Sequence, residues 1–452
     1  MHKKLYAFLA VLLVAVLLVS CAPAQPAPAA EEKPAAVEEA PAAEEPAAEE
    51  VAEEPAEKVT LVINSWRNDD LPIWQDILIP AFNKHHPEIE VIFSPDPPAE
   101  YNGALSARLE GGTAGDLITC RPFDQSLALF NQGYLTSLND LPGIENFPDS
   151  AKVAWQTDDA STVFCVPMAS VIHGFIYNKA IFQELGLEPP TTEAEFYAVL
   201  EAIKADGNYV ALDIGTKDLW EAATMGFQNI GPMYWKGEEG RLALIAGTAK
   251  FTDPEYVAVW DQLNKWGDYT ADGYESQSYV DSQNLFTLGM AAIYPAGPWD
   301  VGVFNTAGLD FEMGAFPPYL PEGSEDCYIS DHTDIALGMN ANAAHPEEAK
   351  LFLEWMTTEE FAELYSNQLP GFYSLSSHEI TVDDPVANEF LSWRKTCGST
   401  IRNSYAILSR GEPNLENELW AVSALAINKA ASSEEIAARI ENGLASWYGP
   451  HQ

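Results

Sequence analysis

Residues 163–187 read VFCVPMASVIHGFIYNKAIFQELGL. Val163 to Met168 is a short apolar run, and Gly174 to Asn178 (GFIYN) is a second one that leads into Ile181-Phe182. Short apolar runs bounded by Gly and Pro read as buried strands. The same alternation extends outward in both directions. Toward the N-terminus, Lys58 to Asn64 (KVTLVIN) is rich in β-branched residues and opens as a strand. Trp74, Ile77, Leu78, Ala81 and Phe82 then fall at helical spacing until Pro87, and Ile89 to Phe93 is the next strand. Tyr101 to Leu109 reads as a helix ending near Gly111-Gly112, Asp116 to Cys120 (DLITC) as a strand, and Ser126 to Phe130 as a helix closed by Gly133.

Toward the C-terminus, Thr192 and Glu195 form a capping box ahead of Phe196, Val199, Leu200 and Ile203, with Gly207 as the stop. Asp253-Pro254 start a helix whose stripe is Tyr256, Val259, Trp260 and Leu263. Met290 to Tyr294 is a strand that runs out into Pro295-Ala296-Gly297-Pro298-Trp299, and Asp334 to Met339 is another. His345-Pro346 precede a helix with Ala349, Phe352, Leu353 and Met356 on one face; Ser432 and Glu435 cap a last helix carrying Ile436, Ile440, Leu444 and Trp447. Strands alternating with amphipathic helices predict an α/β fold. The globular stretch, Val59 to Gln452, exceeds the roughly 250–300 residues that one core serves, so two lobes with a cleft between them are expected.

The N-terminus is different. His2, Lys3 and Lys4 precede Leu5 to Val19, an unbroken apolar run shorter than the roughly 20 residues a spanning helix needs. It reads as a signal peptide over residues 1–20. Leu18-Val19-Ser20-Cys21 resembles the bacterial lipobox, which implies a diacylglycerol on Cys21 and a tether to the outer face of the cytoplasmic membrane. Residues 21–58 are then an Ala/Pro/Glu spacer with eleven Glu against two Lys and no aromatic residue, a composition that stays solvated and extended. The formal charge of the whole chain is −45. Nucleic acid is excluded as a partner, because phosphate backbones are gripped by Lys and Arg. A phosphorylated or polyanionic solute is disfavoured unless a local basic pocket overrides the net charge, and a neutral or cationic ligand fits best. Cys120, Cys165, Cys327 and Cys397 remain after Cys21, an even number in an oxidising compartment. They allow three pairings, of which we expect Cys120–Cys165 and Cys327–Cys397, with buried free thiols as the alternative. Neither they nor the scattered His have the spacing of a metal site, and no metal or cofactor is expected.

Several segments carry a family resemblance. They are Val166-Pro167 through Ile176-Tyr177-Asn178-Lys179 with Ile181-Phe182 and Leu185-Gly186-Leu187; Pro190-Thr191-Thr192 with Phe196; Phe286, Gly289, Met290-Ala291-Ala292 and Gly297-Pro298-Trp299; and Asn342, Pro346, Glu347 and Ala349 with Phe352-Leu353. In this order they resemble the extracellular solute-binding proteins of ABC importers, the maltose-binding-protein group. The resemblance spans residues 59–452. It implies a two-lobe, type II periplasmic-binding-protein-like fold, with lobe one over 59–170 plus 330–368 and lobe two over 171–329 plus 369–452. It further implies a monomer that captures a carbohydrate, an oligosaccharide by preference, in the interlobe cleft and delivers it to permease subunits, with no catalysis.

A sugar offers apolar C–H faces and a rim of hydroxyls, so its binder needs flat aromatics and charged or amide hydrogen-bonding groups. Loops after strands are where open α/β sheets hold ligands. Trp66, Asn68 and Asp69 follow the first strand. Arg121 and Asp124 follow DLITC, where the resembling family places polar sugar ligands; an aromatic is usual there at the position of Cys120. Trp299 matches the family's stacking Trp, and Trp420 a further aromatic position of the cleft. Trp220 and Trp235 are loop-proximal or glycine-flanked aromatics of lobe two, and Tyr373 follows Pro370-Gly371 near a crossing segment. Trp74, Trp260, Trp355 and Trp447 sit on helical apolar faces and are assigned to core. Two other readings exist. The same cleft could take a polyamine or peptide, since Trp and Asp also cage cations. A glycosidase could use Asp69-Asp70 or Asp331/Asp334 as its carboxylate pair.

Overall fold

The computed structural model describes residues 58–452. The signal peptide, Cys21 and all but the last residue of the spacer lie outside the described residues. Eleven strands are present among them: β1 Val59–Ser65, β2 Ile89–Pro95, β3 Leu117–Cys120, β4 Val166–Ile172, β5 Gly174–Asn178, β6 Val210–Leu212, β7 Ala291–Ala296, β8 Met313–Phe316, β9 Tyr328–Met339, β10 Tyr373–Ser374 and β11 Gly398–Thr400. They form two sheets. The larger runs β10-β4-β9-β3-β1-β2, with β11 added to β9; the smaller runs β6-β7-β5-β8. β1 pairs in parallel with β2 and β3, whereas β9 runs antiparallel to β3 and β4. Only His173 separates β4 from β5, so the chain steps from one sheet into the other there.

Local signals explain these elements. Asn178 ends β5 and caps the following helix, Lys179–Leu185, its Oδ1 accepting from the N–H groups of Ala180 and Ile181. The Thr192–Glu195 capping box is fully formed on helix Glu193–Asp206, and Ser432–Glu435 on Ser433–Ala445. Helix Pro346–Met356 packs on β1, β4 and β9, and helix Pro254–Trp266 packs on Leu415–Ile427 and Ser433–Ala445. Trp74 and Phe93 stack with ring centroids 4.5 Å apart, and Trp74, Trp260 and Trp355 are buried, while Trp447 is half-buried against the core.

Two strands differ from the sequence expectation. The ladder of β4 with β9 begins at Val166 and runs to Ile172, because Val163 and Phe164 are bonded instead to Asn139 and Trp155. Pro167 has no N–H to give, and a register shift beside it accommodates the loss. β9 starts at Tyr328 rather than Asp334: its polar half, YISDHT, lacks an apolar signature but is paired on one side by β4 and on the other by β11. Cys120 is bonded to Cys165 and Cys327 to Cys397. The first bridge links β3 to the start of β4 across the intervening β9, where Gly338 lies beneath it; a Cβ at 338 would stand 2.7 and 2.9 Å from the two sulfurs.

Candidate functional site

Four of the twelve indoles meet on one cavity. Trp66, Trp220, Trp299 and Trp420 line it together with Arg67, Pro98, Arg121, Thr224, Tyr279, Asp334 and Arg402. The free space left between these side chains is narrow, about 60 Å³.

One wall comes from the larger sheet. Trp66 follows β1, is 5% exposed, and leans on Tyr101 at 5.5 Å between ring centroids. Tyr101 is itself fixed by donating to the Thr119 carbonyl at 2.7 Å. Arg121 follows β3. Its guanidinium carbon stands 4.4 Å from the Trp66 ring centroid, a cation–π contact. Its Nε donates to Asn102 Oδ1 at 3.0 Å and its Nη2 to the Pro98 carbonyl at 3.2 Å. Burial lowers the Arg121 pKa, and the charge of Arg402 adds to that lowering. Arg67 forms a two-pronged pair with Asp70, at 2.7 and 2.6 Å. Burial opposes its charge, but Asp70 outweighs burial and raises its pKa. Asp334 projects from β9. Burial works against its ionisation, yet His332 and the guanidinium groups of Arg402 and Arg121 hold its pKa below the ordinary value. Arg402, just beyond β11, donates to the Tyr405 hydroxyl at 3.0 Å and lies 3.4 Å from Glu416 and 4.0 Å from Asp334.

The opposite wall is aromatic. β7 ends at Ala296, and Trp299 opens helix Trp299–Ala307 at 7% exposure. Its indole folds back over Gly297, where a Cβ would stand 1.7 Å from the ring; this close approach is the physical content of the Gly-Pro-Trp motif. Asp300 follows it, fully buried, accepting from the Tyr279 hydroxyl at 2.5 Å and from Gln283 at 2.9 Å. Burial raises the Asp300 pKa to about 7. Trp220 meets Tyr279 edge-on at 4.8 Å, and Trp420 comes from helix Leu415–Ile427. Beneath Trp299, His173 and His332 are buried 4.9 Å apart, their pKa values lowered by burial first and by neighbouring positive charge second.

Five expected residues therefore share the cavity: Trp66, Arg121, Trp220, Trp299 and Trp420. Five others do not line it. Trp235 is a core residue, 3% exposed, stacked on Tyr256 at 5.7 Å and seated where Gly231 and Gly240 leave room; a Cβ at Gly231 would stand 2.0 Å from its ring. Glycine beside it thus signalled packing. Asp124 is spoken for by Arg410 Nε at 2.6 Å and the Ile407 N–H at 2.8 Å. Tyr373 is buried in β10 and donates to the Ala387 carbonyl at 2.6 Å. Asn68 is exposed. Asp69 lines a neighbouring, mostly apolar cavity of about 330 Å³ beyond Trp299, with Asp70, Ile73, Val303, Pro370 and Phe372. Arg67, Tyr279 and Arg402 were missed, and only Arg67, between Trp66 and Asn68, had a positional signal. Of the carboxylates considered for glycoside hydrolysis, Asp70 is held by Arg67, Asp331 by Arg394 at 2.7 Å, and Asp334 by His332 and Arg402, whereas Asp69 forms no ion pair among the described residues.

The chain is 24% identical over 306 residues to the multiple sugar-binding protein of Streptococcus mutans, covering 64% of this chain and 69% of that one. A bacterial solute receptor described as exclusive for β-D-galactopyranose superimposes with a TM-score of 0.74 at 18% identity, over 86% of this chain and 99% of the other. A solute-binding protein solved with raffinose does so at 0.71 and 20% identity, over 87% and 100%. These structures share the two-lobe, type II periplasmic-binding fold. Residues 78–383, more than half of the chain, match the family described as bacterial extracellular solute-binding protein. This match makes the chain a solute receptor: it belongs to the bacterial extracellular solute-binding proteins.

Proposed function

We propose that the cleft captures a carbohydrate reversibly and that the chain, acting as a monomer outside the cytoplasm, hands it to the permease of an ABC importer. The observation that carries this reading is one cavity lined by four indoles together with guanidinium and carboxylate groups. Indoles stack on the C–H faces of a pyranose, and the charged groups bond its hydroxyls. The sugar-binding relatives support the same solute class. A polyamine would have to settle beside Arg121 and Arg402, which disfavours it. The lobes are taken to be built on the two sheets and to hinge at His173, closing over the solute.

A thermal-shift screen of mono- and oligosaccharides tests this. A bound sugar raises the midpoint by mass action, by about 2.7 kcal/mol of stability at a hundredfold excess over Kd. No shift with any carbohydrate, together with a shift by a polyamine or peptide, would reject it. The tether is proposed to be lipid on Cys21: wild-type chain expressed in a bacterium should incorporate labelled palmitate, and Cys21→Ser should not.

A further inference from the structure

The two walls supply charge unevenly. The cavity is lined by three arginines and one carboxylate. Arg67 is neutralised by Asp70, and Arg402 lies between Glu416 and Asp334. Arg121 has no carboxylate within ion-pair distance among the described residues; its protein contacts are an amide oxygen, a peptide carbonyl and an indole face. Its Nη1 makes no hydrogen bond to the described protein. Arg121 is half-buried; a cation partly withdrawn from water gains from a counter-charge, and this chain, with 68 acidic residues against 23 basic ones, has carboxylates in excess. Two further donors of the lining, Arg402 Nε and Trp420 Nε1, are buried with no acceptor. The cleft thus holds surplus donors and one guanidinium, that of Arg121, with no carboxylate at ion-pair distance among the described residues.

Resting on the carbohydrate reading above, we propose that the preferred solute is an acidic saccharide, a uronic acid or an oligosaccharide containing one, whose single carboxylate pairs with Arg121. The guanidinium fork matches a carboxylate edge to edge. Asn102 and Pro98 hold that fork by its Nε and Nη2, so it is oriented before the solute arrives. Asp334, the one acid of the lining, accepts from sugar hydroxyls and sets the charge limit. One guanidinium without a carboxylate partner, beside the Asp334 carboxylate, suits a monoanion better than a doubly charged phosphate ester.

Titration calorimetry on the full chain at pH 7 tests this with galacturonate and glucuronate, their dimers and trimers, neutral counterparts of equal length, and glucose 6-phosphate. The acidic sugars should bind at least about tenfold more tightly than their neutral counterparts. Arg121→Gln should erase that ratio, acidic sugars falling to the affinity of their neutral counterparts, and Arg121→Lys should retain part of it. Tighter binding of a neutral sugar or of the phosphate ester, or an Arg121→Gln variant with an unchanged ratio, would overturn the acidic reading and leave the carbohydrate reading standing. Silence toward every sugar would overturn both.

Discussion

Asp70 and Asp300 are equally hidden, at 3% and 0% exposure, and stand behind opposite walls of the cleft. Arg67 clasps both oxygens of Asp70. Asp300 has no base beside it. Its Oδ1 accepts from Tyr279 and Gln283, its Oδ2 has no partner, and burial drives its pKa to about 7. The charged wall therefore rests on an ion pair, and the aromatic wall on a carboxyl group held at the edge of neutrality. Burial alone does not say which: the difference is whether a guanidinium lies within reach.

The comparison breaks most visibly at Asp70. Asp70→Asn leaves the buried Arg67 charge unpaired, and we expect a loss of about 3–5 kcal/mol in urea unfolding; a loss under about 1 kcal/mol would show that Arg67 does not depend on Asp70. Asp300→Asn should behave differently, and its effect should depend on pH. The native group holds its proton up to about 7, whereas the unfolded group ionises near 3.8. Its contribution is full below pH 3.8 and is lost as pH rises through 7. Wild type should gain on Asp300→Asn by a few kcal/mol as pH falls from 8 to 4, at about 1.4 kcal/mol for each tenfold difference in proton affinity between the folded and unfolded chains. His173 and His332 act oppositely, their stability being present above the unfolded value of 6.5 and lost as pH falls, but they are common to both proteins and cancel in the difference. Thermal midpoints of the two proteins across that range decide it, and parallel curves would show that Asp300 does not hold its proton in the folded chain.

Smaller effects sharpen the contrast between the walls. Trp299→Ala should weaken solute binding at least about tenfold by calorimetry, roughly 1.4 kcal/mol. Gly297→Ala should do nearly as much without touching the indole, since its Cβ occupies the ring's position; normal binding by Gly297→Ala would mean that the ring's placement over residue 297 is dispensable. Arg410→Ala removes a half-exposed clasp to Asp124 and Asp158. An exposed pair contributes about 1 kcal/mol or less, so solute release in stopped flow should quicken only severalfold.

Local signals made much of the frame legible. Thr192 with Glu195, Ser432 with Glu435, and Asn178 act within one turn of chain, where neighbours in sequence are neighbours in space. Trp299 was legible because Gly-Pro-Trp folds upon itself. Trp235 misled because glycine beside an aromatic reads the same whether the space is filled by a solute or by a ring of the same chain. The polar start of β9 was invisible because its pairing comes from β4 and β11, which are remote in sequence.

By itself the sequence determined the alternation of strand and helix and the caps, since these follow from short-range spacing and hydrophobicity. Tertiary structure alone decided the charge of the site. Arg402 reaches the cavity through a strand added to β9, Asp124 leaves it for Arg410, and Arg121 is left without an acid. Electrostatic balance depends on separations of a few ångströms between residues hundreds of positions apart, and only the folded chain sets those distances.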